Sequence, residues 1–131
     1  MRDRMHYNPK TNILEIDFSH LAIERAQQIE EMKSSLVEIV GPMDQKVYAL
    51  VNYEGFQVED ELKERYGQVI REMYRKYFKG TVRYSSSALA RVTIKTTSPD
   101  NGIEGNTFPN RKKALEAIAR MQGKKKIEED M

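Results

Sequence analysis

The stretch VYALVNYEGF, residues 47–56, joins an apolar run to a turn. Val47, Tyr48, Ala49, Leu50 and Val51 show no alternation with polar residues, so a strand here has to be covered on both faces. The next five residues are of another kind. Asn52, Tyr53, Glu54, Gly55 and Phe56 read as a turn in which Gly55 relieves the backbone. Open α/β sheets place ligands beyond the carboxyl ends of their strands, which is where this turn lies. Asn52, Tyr53, Glu54 and Phe56 are therefore candidates for contact with a ligand or partner, against the plainer reading of turn chemistry.

Upstream, a short strand at 5–7 and another at 13–18 flank the turn residues Asn8, Pro9 and Asn12, so a hairpin opens the domain. From Ala22 the apolar period lengthens to three and four residues through Ala26, Ile29, Leu36, Val37 and Val40. That is an amphipathic helix, stopped by Gly41 and Pro42. Downstream, residues 59–78 carry Leu62, Tyr66, Val69, Ile70, Met73, Tyr77 and Phe78 on one stripe, a second long helix with Gly80 as its stop. Tyr74 falls beside that stripe and reads as an exposed aromatic. A strand at 81–84, a loop TTSPDNGIEGNT, an extended piece at Thr107 and Phe108, and a last helix capped by Asn110 complete the chain. Ala114, Leu115, Ile118 and Met121 form that helix's apolar stripe, and Gly123 closes it.

The order is a hairpin followed by alternating helices and strands. It predicts an α/β fold: a central mixed, mostly parallel sheet of about five strands with about four packed helices, joined by right-handed crossovers. Residues 1–123 are expected to form a single domain. Residues 124–131, with Lys124, Lys125 and Lys126 before Glu128, Glu129 and Asp130, are expected to be a disordered, solvated tail.

Composition narrows the chemistry. The 131 residues include no cysteine, which excludes disulfides, thiolate catalysis and thiolate metal sites. No apolar run approaches membrane-spanning length and the N-terminus lacks a secretory apolar core, so a cytoplasmic protein without a membrane partner is expected. His6 and His20 are the two histidines; Asp17 with His20 would supply at most two metal ligands. Asp17, Ser19 and His20 are sequence neighbours without a positioned partner, and a triad is recognised by geometry. The seven glycines form neither a dinucleotide fingerprint nor a phosphate loop. Without an aromatic RNA-binding strand motif or a sustained basic face, no nucleic-acid partner is expected, and no cofactor or metal.

VRYSSSALARVTI, residues 82–94, has two readings. As a strand, Ala88, Ala90, Val92 and Ile94 share one face, which the β-branched residues favour. As a helix, Ser86 or Ser87 caps it and its first amides make a small anion site with Arg83 and Arg91 near by. Covalent catalysis by Ser85, Ser86 or Ser87 needs a base that the local sequence does not bring.

The run from KVYALVNYEGF through KYFKGTVRYSSSALARV resembles the small C-terminal domain appended to some bacterial CoA-transferases of the propionate-CoA-transferase-like type. More broadly it is similar to the STAS-like fold of anti-sigma-factor antagonists. The likeness spans residues 5–121 and is strongest in VNYEGF, KYFKG and VRYSSSAL. It implies a freestanding copy of a noncatalytic interaction or regulatory domain, possible links to acyl-CoA metabolism included, with a protein partner or a homodimer. The transferase's catalytic glutamate belongs to another domain, so Glu54 is not that residue. Antagonists carry a phosphorylatable serine or threonine after the strand matching 47–51; this chain has Asn52 to Phe56 there, and Glu54 would present a permanent negative charge instead. The resemblance also implies a cap at Ser86 or Ser87 and a helix over 88–95. Two functions result: an interaction domain using Tyr53 and Phe56 for apolar contact and Glu54 for selectivity, or an anion or acyl-CoA binding module using Arg83, Ser86, Ser87 and Arg91.

Overall fold

The computed structural model describes residues 1–87 and 107–123. The helix expected over 88–95, with Arg91, and the tail at 124–131 lie outside the described residues.

The fold is α/β, built on a five-stranded mixed sheet. Strands β1 (Met5–Asn8) and β2 (Ile13–Asp17) form the antiparallel hairpin, and β4 (Val47–Asn52), β6 (Phe78–Tyr84) and β7 (Thr107–Phe108) run parallel to β2 in the order β1-β2-β4-β6-β7. The hairpin turn is set by Asn12, at φ 58°, whose side-chain oxygen accepts from the Tyr7 hydroxyl at 2.8 Å. Helices α1 (Ala26–Val40) and α2 (Lys63–Tyr77) cover one face, and α3 (Arg111–Met121) packs on the other.

The apolar run at 47–51 is covered from both sides, as its lack of alternation requires. Val47, Ala49 and Val51 pack beneath α1 and α2 with Ile29, Met32 and Met73. Leu50 joins Ile13 and Val82 under Ala114, Ala117 and Ile118 of α3. The two alanines leave little side-chain bulk between helix and sheet. Asn110 caps α3 as expected, its Oδ1 accepting the Lys113 amide at 2.9 Å. Met121, expected on the buried stripe, is 37% exposed because the helix ends at the margin of the sheet.

Three local expectations change. The first helix begins at Ala26 rather than Ala22, because Ala22–Ile23 (β3) pairs in parallel with Gln57–Val58 (β5) in a separate two-stranded sheet. Gln28 fixes that boundary: its Oε1 accepts the amides of Glu24 and Arg25 at 2.7 and 2.9 Å, and its Nε2 donates to the Ala22 carbonyl at 2.9 Å.

The second helix starts after a 3-10 turn, Asp60–Leu62, and ends at Tyr77. Phe78 is already in the strand, opposite Val47, and Gly80 sits inside β6 instead of stopping the helix. A β-carbon on Gly80 would lie 3.1 Å from the Met121 sulfur and 3.2 Å from the Tyr48 ring, so glycine serves close packing there.

Tyr74 is not exposed. It is 6% accessible, with its ring 5.7 Å from that of Phe78. Among the described residues, no helix is long and apolar enough to cross a membrane.

Candidate functional site

Three loops leave the carboxyl ends of β2, β4 and β6 side by side, and backbone hydrogen bonds lock them together. Phe18 N–H donates to the Asn52 carbonyl at 2.9 Å, Tyr53 N–H to that of Tyr84 at 2.9 Å, and Ser85 N–H to that of Phe108 at 3.1 Å. The ladder thus continues one step past each strand. Asn52 then turns the chain by accepting the Glu54 amide on its side-chain oxygen at 2.9 Å. Gly55 takes φ 69°, and a β-carbon there would stand 2.6 Å from His20 Nδ1. His20, at φ 57°, donates its backbone N–H to the Glu54 carbonyl at 2.7 Å.

Glu54 is the centre of this edge. Its Oε2 accepts from the Ser85 hydroxyl at 3.1 Å, and its Oε1 accepts from the Ser86 amide at 3.3 Å and from the Ser86 hydroxyl. The Ser86 hydroxyl, chiefly, holds its carboxyl below the usual carboxylate range against a desolvation cost, with Ser85, the Ser86 amide and His20 adding to the effect. Asp17 lies on the same edge, lowered first by the Ser19 hydroxyl; its Oδ1 also accepts the Ser19 amide at 2.9 Å. Asp17, His20, Gly55, Ser86 and Ser87 are exposed, Glu54 is half-buried, and Ser85 is fully buried beneath them.

Under this edge lies an aromatic floor. The ring of Phe56 sits 5.3 Å from Phe18, 5.0 Å from Tyr53 and 5.5 Å from Tyr66. The Tyr53 and Tyr66 hydroxyls meet at 2.9 Å, and burial pushes both phenols upward. Arg83 completes the floor at 2% exposure, its Nη2 donating to the Tyr74 hydroxyl at 3.3 Å and its guanidinium carbon 5.4 Å from that ring. Burial opposes its charge, but a guanidinium stays protonated in proteins and the Tyr74 hydroxyl accepts a hydrogen bond from it, so Arg83 is a buried cation.

These placements revise the candidate set. Glu54 lies half-buried at the surface, its carboxylate engaged by Ser85 and Ser86. Tyr53, at 6% exposure, is an interior residue and cannot offer apolar contact to a partner. Phe56 is half-buried in the floor, and Asn52 is engaged in the turn. Of the proposed anion group, Arg83 lies under α2 instead of beside Ser86 and Ser87, and the Ser86 amide already serves Glu54. The sequence does not single out Ser85 as a Glu54 partner; the two are 31 positions apart and nothing local links them.

Among the described residues no group of three or more His, Asp or Glu side chains could hold a metal ion. On the α3 side of the same edge a cavity of about 360 Å³ is lined by Arg4, His6, Glu15, Ile16, Asp17, Leu50, Asn52 and Tyr84. Its charges are largely matched within the chain. Arg111 binds Glu15 through two nitrogens at 3.0 and 2.8 Å, and Arg4 donates to the Asp17 carbonyl at 2.9 Å. The strand order also never reverses, so this sheet lacks the crevice at a switch in strand order where many α/β proteins hold ligands. Chemically, the edge offers a fixed carboxylate whose oxygens are already hydrogen-bonded, suited to presenting charge more than to abstracting a proton.

Comparison of the chain with protein-family models, with curated proteins and with solved structures returned no match.

Proposed function

We propose that the chain is a noncatalytic, STAS-like interaction or regulatory domain that meets its protein partner with the edge around Glu54. The observation that carries this reading is the clamped carboxylate: Ser85 and Ser86 hold Glu54 ionised and oriented at the surface. A preoriented charge gives a partner's basic side chain a defined target, and electrostatic complementarity of this kind contributes specificity and encounter rate. His20, Gly55, Ser86 and Ser87 surround it as an exposed rim of small and polar groups. The hairpin followed by alternating helices and parallel strands supports the same reading, since it is the organisation that the family resemblance implies.

The acyl-CoA reading is the weaker one, because an anion at Ser86 would have to displace Glu54, and Arg83 is buried beneath. Quantitative capture from a native lysate with wild-type and Glu54→Lys baits tests the proposal. A protein retained by the wild type and lost from the folded variant supports it; equal recovery by both contradicts it. Calorimetry against CoA and acyl-CoAs, with no heat at millimolar ligand, is the expected companion result.

A further inference from the structure

Acidic and basic residues are unevenly distributed along the strand axis. Lys46, Arg71, Arg75, Lys76 and Lys79 cluster where β4 and β6 begin and in the last two turns of α2, and all five are exposed. Lys46 Nζ donates to the Arg75 carbonyl at 3.1 Å. The Lys76 and Lys79 ammonium groups lie 5.5 and 5.7 Å from the ring centroids of Tyr77 and Tyr48. Several other surface cations have carboxylate partners: Lys33 with Glu72, Lys63 with Asp60, Arg65 with Glu30, Arg111 with Glu15. None of the five has one among the described residues. Arg75 and Lys76 complement the carboxyl-terminal dipole of α2, but the mutual repulsion of all five cations opposes folding, so the helix end accounts for only part of the cluster.

The opposite end carries the other sign. The pairing of β3 with β5, and the Glu59 amide on the Ile23 carbonyl at 3.0 Å, bring exposed Glu24 beside exposed Glu59, Asp60 and Glu61. Glu61, through a side-chain hydrogen bond and then repulsion, holds the Glu59 carboxyl above its usual range, with Glu24 and Asp60 adding to the effect. Asp17 and Glu54 extend this acidic end along the loops after β2 and β4.

We propose that the basic end is a docking surface for a second copy of this chain, which enters it with its acidic end to form a head-to-tail assembly. The inference rests on the interaction reading above, to which it adds the partner. Opposite charges at opposite ends cannot neutralise each other within one molecule, but they meet when copies stack along the strand axis. Like ends repel, which disfavours a two-fold pairing through either of them, so the contact is heterologous and open-ended. A nucleic acid would satisfy the basic end and leave the acidic end unmatched. Exposed charges are screened beyond about 8 Å at physiological salt, so the assembly is salt-sensitive.

Sedimentation velocity of the full chain over a concentration series, at low and at high salt, is the test. The expected result is a mass that rises with concentration at low salt and returns to monomer at high salt. Lys76→Glu with Lys79→Glu, and separately Glu59→Lys with Glu61→Lys, each abolish the rise, and an equimolar mixture of the two double variants restores association through one native pairing. These sites are exposed, and far-ultraviolet circular dichroism verifies folding. A concentration-independent monomer at low salt overturns the inference, as does association that both double variants retain or that mixing fails to restore. A monomer that binds a labelled single-stranded oligonucleotide, with binding lost in Lys76→Glu/Lys79→Glu, overturns it in favour of a polyanion. A monomer that still captures another protein through Glu54 refutes the second copy and leaves the interaction reading standing.

Discussion

Gly55 and His20 show how tightly single residues shape the edge. Both sit at positive φ, and a β-carbon at residue 55 would fall inside the contact distance of the His20 ring. Gly55→Ala therefore combines left-handed strain with a steric shift, and is expected to lower stability by about 1–2 kcal/mol, read as a fall in the urea midpoint. Tyr66→Phe is gentler in shape, but it removes the hydroxyl that meets Tyr53 at 2.9 Å in the interior. A loss of about 1 kcal/mol in the same measurement is expected. The sequence made Gly55 legible as a turn glycine. It did not reveal Tyr53 and Tyr74 as interior residues, because Tyr53 is covered by Phe18, Phe56 and Tyr66 and Tyr74 by Phe78 and Arg83, neighbours that the folded sheet and helix bring together.

Elements were legible where local pattern and tertiary demand agreed. The run at 47–51, the Gly41 stop and the Asn110 cap follow directly from patterning and capping chemistry. Asn110→Ala should cost about 1 kcal/mol with an unchanged denaturant slope, the mark of a lost cap in an intact fold. Boundaries failed where pairing overrode period. Ala22 fits a helical stripe but hydrogen-bonds into a strand pair with Gln57, and Phe78 fits the α2 stripe but lies opposite Val47.

The tie between the β4–β5 loop and the end of β6 has a pH signature. Glu54's folded pKa is depressed below the ordinary glutamate value of 4.5, so its stabilising contribution is complete above that value and lost as pH falls through the depressed one. Glu54→Gln should consequently be less stable than wild type at neutral pH. The difference between their urea midpoints should close as pH drops below 4.5.

For the whole molecule, β4 and β6 are shared by the two apolar layers, Ala49 and Val51 facing α1 and α2 while Leu50 and Val82 face α3. Damage on one side should therefore be felt on the other. Ile118→Ala is expected to cost about 2–4 kcal/mol, with helical circular dichroism and tyrosine fluorescence still falling in one transition. The alternation of strands and helices was enough to read the fold class. The Glu54–Ser85–Ser86 node was not readable, because its members are 31 and 32 positions apart and meet only through the β4–β6 register.

That node is the centre of the functional account, and site-specific photocrosslinking interrogates it in the cell. A photoreactive residue at Gln57, exposed beside the Glu54 loop, should give a discrete adduct that disappears when Glu54→Lys is added, while the same probe at exposed Gln27 on α1 gives none. An absent adduct at Gln57, or one that survives Glu54→Lys in the folded protein, would contradict the edge as the partner-binding surface.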